Sequence, residues 1–76
     1  MDFIEVTADC ATEKRKTLIC IDNIISISEY GGNSKRALIY IQQPNGEKLT
    51  IKCCESYRMV KKRLLEHNNK LDYNEQ

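Results

Sequence analysis

The sequence has no tryptophan and only one phenylalanine, one proline and one histidine among its 76 residues. Without large aromatic side chains, the core has to be built from isoleucine, leucine, valine and cysteine. No apolar run approaches the ~20 residues that cross a bilayer, and the N-terminal residues lack the basic and apolar segments of a secretory signal. We therefore expect a cytoplasmic protein without membrane insertion, consisting of one small and modestly stable domain.

Catalytic and ligand-binding motifs are also missing. The chain has no nucleophile elbow, no phosphate-cradling glycine motif and no pair of carboxylates at a catalytic spacing on a predicted helix. Its only histidine, His67, lies on the polar end of a predicted helix, and a cysteine nucleophile needs a nearby base. We expect no enzyme, no cofactor and no small-molecule substrate.

Four cysteines are present, but none of them form a C-x-x-C pair, and no signal sequence favours disulfides. The adjacent Cys53 and Cys54 point to opposite faces of a strand, which is unfavourable for a shared zinc site. We expect no metal site. Cys20 and Cys53 are predicted to be small apolar core residues, and Cys10 and Cys54 exposed thiols.

The net charge of +1 excludes a strongly basic protein that binds nucleic acid or membranes by charge alone. Positive charge is nevertheless concentrated near the C-terminus, where residues 51–71 hold six basic and two acidic side chains. Most of these cations fall on the polar face of a predicted helix, which is more typical of a solvated surface. The candidate basic surface consists of Lys52, Arg58, Lys61, Lys62 and Arg63, with Lys35 and Arg36 as further candidates.

The chain is organised around the stretch LICIDNIISI, in which two apolar runs flank Asp22-Asn23. Asp and Asn are typical of turns, so we interpret this stretch as two strands meeting at a corner. Alternating apolar residues predict three more strands, and Gly31-Gly32 and Asn45-Gly46 predict hairpin turns between strands. The predicted strands are 2–7, 17–21, 24–30, 37–41 and 48–53, with a solvated loop at 8–16.

Ser56 is the predicted N-cap, after which the hydrophobic period changes from two residues to about 3.6. A helix is predicted from Tyr57 to Asn68, with Met59 and Leu65 broadening an apolar stripe. The stripe itself consists of Tyr57, Val60, Leu64, Asn68 and Leu71. The domain is assigned to residues 1–71, and 72–76 are expected to form a frayed polar tail.

Together these elements predict an α+β fold, in which a twisted, antiparallel five-stranded β-meander is followed by one C-terminal α-helix. The sheet is either open or curled toward a small barrel. Strands 17–21 and 37–41 are apolar on both faces, and one helix cannot cover both. The surplus apolar surface predicts an interface formed by Leu18, Cys20, Leu38 and Tyr40.

Several short motifs resemble the small bacterial flagellar and swarming-motility proteins of the FlbD/SwrD type. The matching positions are Ile4-Glu5-Val6-Thr7, Cys20-Ile21-Asp22-Asn23-Ile24, Asn45-Gly46 and Glu55-Ser56. Cys20 stands where that family usually has asparagine, Tyr57-Arg58-Met59 replaces an acidic first turn, and the 8–16 loop is longer. The resemblance implies a similar fold and a bacterial origin, but the motifs are mostly structural and scarcely imply a motility role.

A weaker resemblance, carried by Asp22, Ile24 and the Asn45-Gly46 hairpin, is to the LytTR-type DNA-binding domains. This resemblance covers only part of such a domain and does not include the final strands, which carry much of that family's DNA contact. Two functions therefore remain in view. The first is a noncatalytic interaction module, either a homodimer or an adaptor for another protein, and the alternative is weak nucleic-acid binding through the basic surface.

Overall fold

The computed structural model describes the backbone of residues 2–75 and the side chains of residues 2–67. Five antiparallel strands are followed by one helix, as the sequence predicts, and the fold is α+β. The elements are β1 (Phe3–Asp9), β2 (Lys14–Cys20), β3 (Ile24–Tyr30), β4 (Arg36–Gln42), β5 (Lys48–Ser56) and α1 (Tyr57–Glu75). Short 3₁₀ turns occupy Ile21–Asn23 and Gly32–Ser34.

The strand order across the sheet is β2-β1-β5-β4-β3. Sequence neighbours pair in each of the hairpins, but β2 and β3 do not pair, and β1 pairs with β5 instead. The predicted corner at Asp22-Asn23 is the 3₁₀ turn that joins the two edge strands. The sheet is open between these edges.

The sheet is nevertheless strongly curled. Five strands lying flat would place the edge strands about 19 Å apart, at ~4.8 Å for each neighbouring pair. The chain from Cys20 to Ile24 has only four Cα–Cα steps and reaches at most about 15 Å. The two edges must therefore approach each other at this turn, which gives the fold the shape of an incompletely closed barrel.

The core lies inside this curl and under the N-terminal half of α1. Its largest fully buried side chains are Val6, Ile39, Cys53 and Val60, and Leu64 packs against them. The remaining buried core residues are Ile4, Ile19, Ala37 and Ile41. Alternation in β1, β4 and β5 predicted most of these inward positions correctly. Ser56 caps α1 as predicted, because its Oγ accepts a hydrogen bond of 3.1 Å from the backbone nitrogen of Met59.

Three expectations about the strands were wrong. The predicted 8–16 loop is shorter, since β1 and β2 continue their ladder to the pair Asp9–Lys14, where two backbone hydrogen bonds between Cys10 and Glu13 close the turn. β2, which is apolar on both faces and was expected to be covered on both, is covered on one only, since Ile19 is buried and Leu18 on the other face is 66% exposed. Alternation along β3 predicts that Ile25 points inward with Ile27, but Ile25 is exposed, because the β3–β4 register shifts between Ile24 and Ser26.

The helix also differs from its prediction. It continues to Glu75 instead of ending near Asn68, since no glycine or proline interrupts it. Met59 and Leu65 are exposed and do not widen the core-facing stripe. The predicted stripe positions Asn68 and Leu71 and the predicted tail at 72–76 lie outside the described side chains, so these remain predictions.

Candidate functional site

The junction between β5 and its two neighbours is formed by an irregular segment, Cys53–Glu55. Arg36 pairs with Ser56 and Leu38 with Lys52, so three residues of β5 lie opposite one residue of β4. This bulge lets Cys53 pair with Ala8 of β1. The Tyr30 hydroxyl donates a 3.1 Å hydrogen bond to the carbonyl of Cys53. The bulge thus joins the two halves of the sheet and leaves this carbonyl satisfied.

Glu55 connects the bulge to β1 and to α1. Its carboxylate oxygens accept hydrogen bonds of 2.8 and 2.9 Å from the backbone nitrogen of Thr7. Arg63 lies 3.8 Å from the same carboxylate and also donates a hydrogen bond to the backbone carbonyl of Glu5. Burial opposes ionisation of Glu55, but the hydrogen bonds and the charge of Arg63 outweigh it, and its pKa is lowered. We name these four residues the Glu55 cluster.

The Glu55 cluster occupies the place where β1 leaves β5 and runs beside the helix. Thr7 and Glu5 would otherwise present unpaired backbone groups there. The arrangement is therefore structural, because the charged groups are engaged with the backbone. The basic side chain of Arg63, predicted to belong to a binding surface, is half-buried in this cluster.

The cysteines divide by burial. Cys53 is fully buried, and this desolvation, with the nearby negative charge of Glu55, raises the pKa of its thiol to about 11. Cys10 is exposed, and Cys20 and Cys54 are half-buried. The core prediction is thus confirmed for Cys53 and wrong for Cys20, which pairs with Phe3 at the open edge of the sheet. Cys54 is less exposed than predicted.

A patch of exposed apolar side chains lies where β4 and β5 enter their connecting turn, at the base of the hairpin loop. Leu18 is 66% exposed, Ile25 53%, Leu49 43% and Tyr40 37%. Two shallow depressions of about 250 and 270 Å³ lie on either side of Leu49, and both are lined by Ile41 and Leu49. The first also contacts Leu18, whereas the second contacts Ile25 and Tyr40. We name Leu18, Ile25, Tyr40 and Leu49 the hairpin-base patch.

Comparison of the chain with protein-family models, curated proteins and solved structures gives no match. The resemblance to the motility family therefore stays a prediction.

The hairpin-base patch overlaps the predicted interface only in part. Leu18 and Tyr40 are exposed, whereas Cys20 and Leu38 are half-buried. β2 and β4 are not neighbours in the sheet, and it is the curl that brings Leu18 to the same depression as Leu49. Sequence reasoning missed Ile25, because nothing in the pattern marks the register shift. The alternation in β5 predicted an inward Leu49, which is wrong, because Leu49 lies beside a turn, where a strand end is poorly covered.

The predicted basic surface is divided by the fold. Arg58, Lys61 and Lys62 are exposed and line one depression of about 400 Å³ with Leu65 and Glu66. Arg63 points away from them into the Glu55 cluster. Lys52 neighbours the buried Cys53 in β5 and so lies on the outer face of the sheet, opposite the face that α1 covers. Of the further candidates, Arg36 forms an ion pair of 3.0 Å with Asp9.

A depression of about 520 Å³ lies between β1 and α1 and is lined by groups of both charges. Glu55 and Arg63 already pair there, and His67 Nε2 lies 3.4 Å from Asp2 Oδ2. Within residues 2–67, no side-chain nitrogen or oxygen is both buried and without a hydrogen-bond partner. The described part of the chain also has no group of three potential metal ligands and no helix suited to crossing a membrane.

Proposed function

We propose that the protein is a noncatalytic, cytoplasmic interaction module that forms a homodimer through the hairpin-base patch. The observation that carries this proposal is the clustering of four large, exposed apolar side chains at one end of a 76-residue domain. Contiguous exposed apolar surface on a small domain is typical of a protein interface. The second copy covers apolar surface that one chain of this length is too small to bury.

A two-fold dimer requires a surface that is complementary to itself. The hairpin-base patch offers both a projection and a recess. Leu18 projects from the edge strand β2, and the 270 Å³ depression beside Ile25, Tyr40 and Leu49 is open and apolar. In the proposed dimer, Leu18 of each copy fills the depression of the other.

Leu18 supplies a measurable part of the affinity. Full burial of a leucine side chain is worth about 1.5–3 kcal/mol, and 66% of Leu18 remains to be buried. Each copy therefore gains about 1–2 kcal/mol from Leu18, and the dimer gains about 2–4 kcal/mol. Removing both contributions should weaken dimerisation by a factor of roughly 30 to 700. Since only four side chains form the patch, we expect a weak dimer with a dissociation constant in about the micromolar range.

The test compares Leu18→Lys with Leu65→Lys by size-exclusion chromatography with light scattering over a range of concentrations. Leu65 is also exposed, at 47%, but it lies on α1 outside the patch, so this variant controls for added charge and lost apolar surface. Wild type and Leu65→Lys should dimerise, whereas Leu18→Lys should remain monomeric. A monomeric wild type at high concentration, or equal dimerisation of both variants, contradicts the proposal.

The nucleic-acid alternative has weaker support. Of its five predicted basic residues, only Arg58, Lys61 and Lys62 lie together, and Glu66 lines the same depression. Three phosphate contacts alone would give weak and strongly salt-dependent binding. The resemblance to motility proteins suggests a bacterial partner as a further occupant of the hairpin-base patch. An affinity pull-down with wild type and Tyr40→Glu would test for such a partner.

A further inference from the structure

The outer face of α1 carries an exposed leucine among cations. Arg58, Lys61, Lys62, Leu65 and Glu66 follow the spacing i, i+3, i+4, i+7, i+8, which places them on one face of a helix. They line a single depression of about 400 Å³, and Leu65 is 47% exposed. This face points away from the core, because Val60 and Leu64 form the packed side.

Electrostatically this face differs from the rest of the chain. The net charge of the whole protein is only +1, but the five residues of the face comprise three cations and one anion. Arg58, Lys61 and Lys62 form no salt bridge with any residue of the described part of the chain, whereas Arg63 on the same helix is engaged with Glu55. With respect to residues 2–67, the three cations are therefore available to an anionic partner.

We propose that this face of α1 binds the surface of an anionic lipid bilayer, with the three cations contacting headgroup phosphates or carboxylates and Leu65 entering the interface. Cations surrounding an exposed apolar side chain are typical of helices that lie in a membrane surface. Leu65 distinguishes a bilayer from a nucleic-acid duplex, because phosphate contacts alone give an exposed leucine no partner. The attachment is peripheral and does not depend on dimerisation.

Each cation near an anionic bilayer contributes a factor of about five in affinity. The double reversal Lys61→Glu/Lys62→Glu should therefore weaken binding by at least ~30-fold. Leu65→Ser removes a half-exposed apolar group and should weaken binding by a factor of about three to ten. Raising the salt concentration should reduce binding of the wild type, because exposed charges are screened.

The experiment is co-sedimentation of the full chain with phosphatidylcholine vesicles, with and without phosphatidylserine, at low and high salt. The matched control is Lys14→Glu/Lys52→Glu, which changes the net charge equally at exposed positions of the sheet. Circular dichroism checks that each variant is folded. Wild type should bind in a phosphatidylserine-dependent manner, and the control should retain this binding. The helix double variant should lose it, and Leu65→Ser should weaken it.

Three results would overturn the proposal. One is the absence of phosphatidylserine-dependent binding by the folded wild type at low salt. Another is equal loss of binding in the control and in the helix double variant, which indicates an effect of net charge alone. The third is binding of duplex DNA, but not vesicles, in a manner that requires Lys61 and Lys62 and ignores Leu65, which assigns the face to nucleic acid instead.

Discussion

Replacing Glu55 by glutamine should destabilise the fold by about 1–2.5 kcal/mol at neutral pH. The glutamine oxygen can still accept a hydrogen bond from the backbone of Thr7, so the loss is the difference between a charged and a neutral acceptor, about 1–1.5 kcal/mol. The partly exposed ion pair with Arg63, at 3.8 Å, adds about 0–1 kcal/mol. Glu55→Ala removes the acceptor entirely and should cost about 2–4 kcal/mol.

The measurement is urea denaturation followed by circular dichroism, at one protein concentration because dimerisation also contributes to stability. Glu13→Gln is the matched control, since Glu13 is exposed and pairs with the exposed Arg15 at the turn after β1. Its cost should be below ~0.5 kcal/mol.

Acidification provides a second check on Glu55. Its pKa is lower in the folded protein than in the unfolded chain, so its ionised form stabilises the fold above about pH 4.5. That stabilisation is lost as the pH falls through the lower folded-state pKa. The difference in stability between wild type and Glu55→Gln should therefore shrink on acidification. Equal stability at pH 7, or a difference that is independent of pH, would refute the role assigned to the Glu55 cluster.

Three further predictions concern single residues. An alkylating reagent should modify Cys10 rapidly and Cys53 only on unfolding; mass spectrometry of time points would detect the order, and early labelling of Cys53 would contradict its burial. The stability of the fold should also fall as the pH rises from about 9 toward 11, because the raised pKa of Cys53 disfavours its thiolate in the folded state. Gly31→Ala should lower the melting temperature, because Gly31 has φ +83° and an added Cβ would lie 2.4 Å from the Ser34 Oγ; an unchanged melting temperature counts against this turn geometry. Tyr30→Phe should cost about 1–3 kcal/mol in urea denaturation by leaving the Cys53 carbonyl without its donor, and a neutral effect would show that this bond is dispensable.

The element types and most inward positions follow from the sequence because they depend on local patterns. The alternation in β4 places Ala37, Ile39 and Ile41 in the core, and the change of period after Ser56 marks the start of α1. The strand order does not follow, since pairing of β1 with β5 depends on a bulge at Cys53–Glu55 that has no clear sequence signal. The short turn after β2 suggested that β2 pairs with β3, but this turn joins the two edge strands of the sheet instead.

The residues of the candidate surfaces could likewise be predicted only in part. The surplus of apolar residues in β2 and β4 indicated an exposed apolar face, and Leu18 and Tyr40 do lie there. Ile25 belongs to the hairpin-base patch because of a register shift. Arg63 is separated from the other cations of α1 because it contacts Glu5 and Glu55. These depend on tertiary geometry, which periodicity alone does not encode.

The most direct test of the proposed homodimer is a dilution series of amide ¹H–¹⁵N NMR spectra on the assigned protein. Dimerisation through the hairpin-base patch predicts concentration-dependent shifts at Leu18, Ile25, Tyr40 and Leu49, with little change at Lys61 and Leu65 on α1. Spectra that do not change with concentration, or shifts confined to the outer face of α1, would contradict the account.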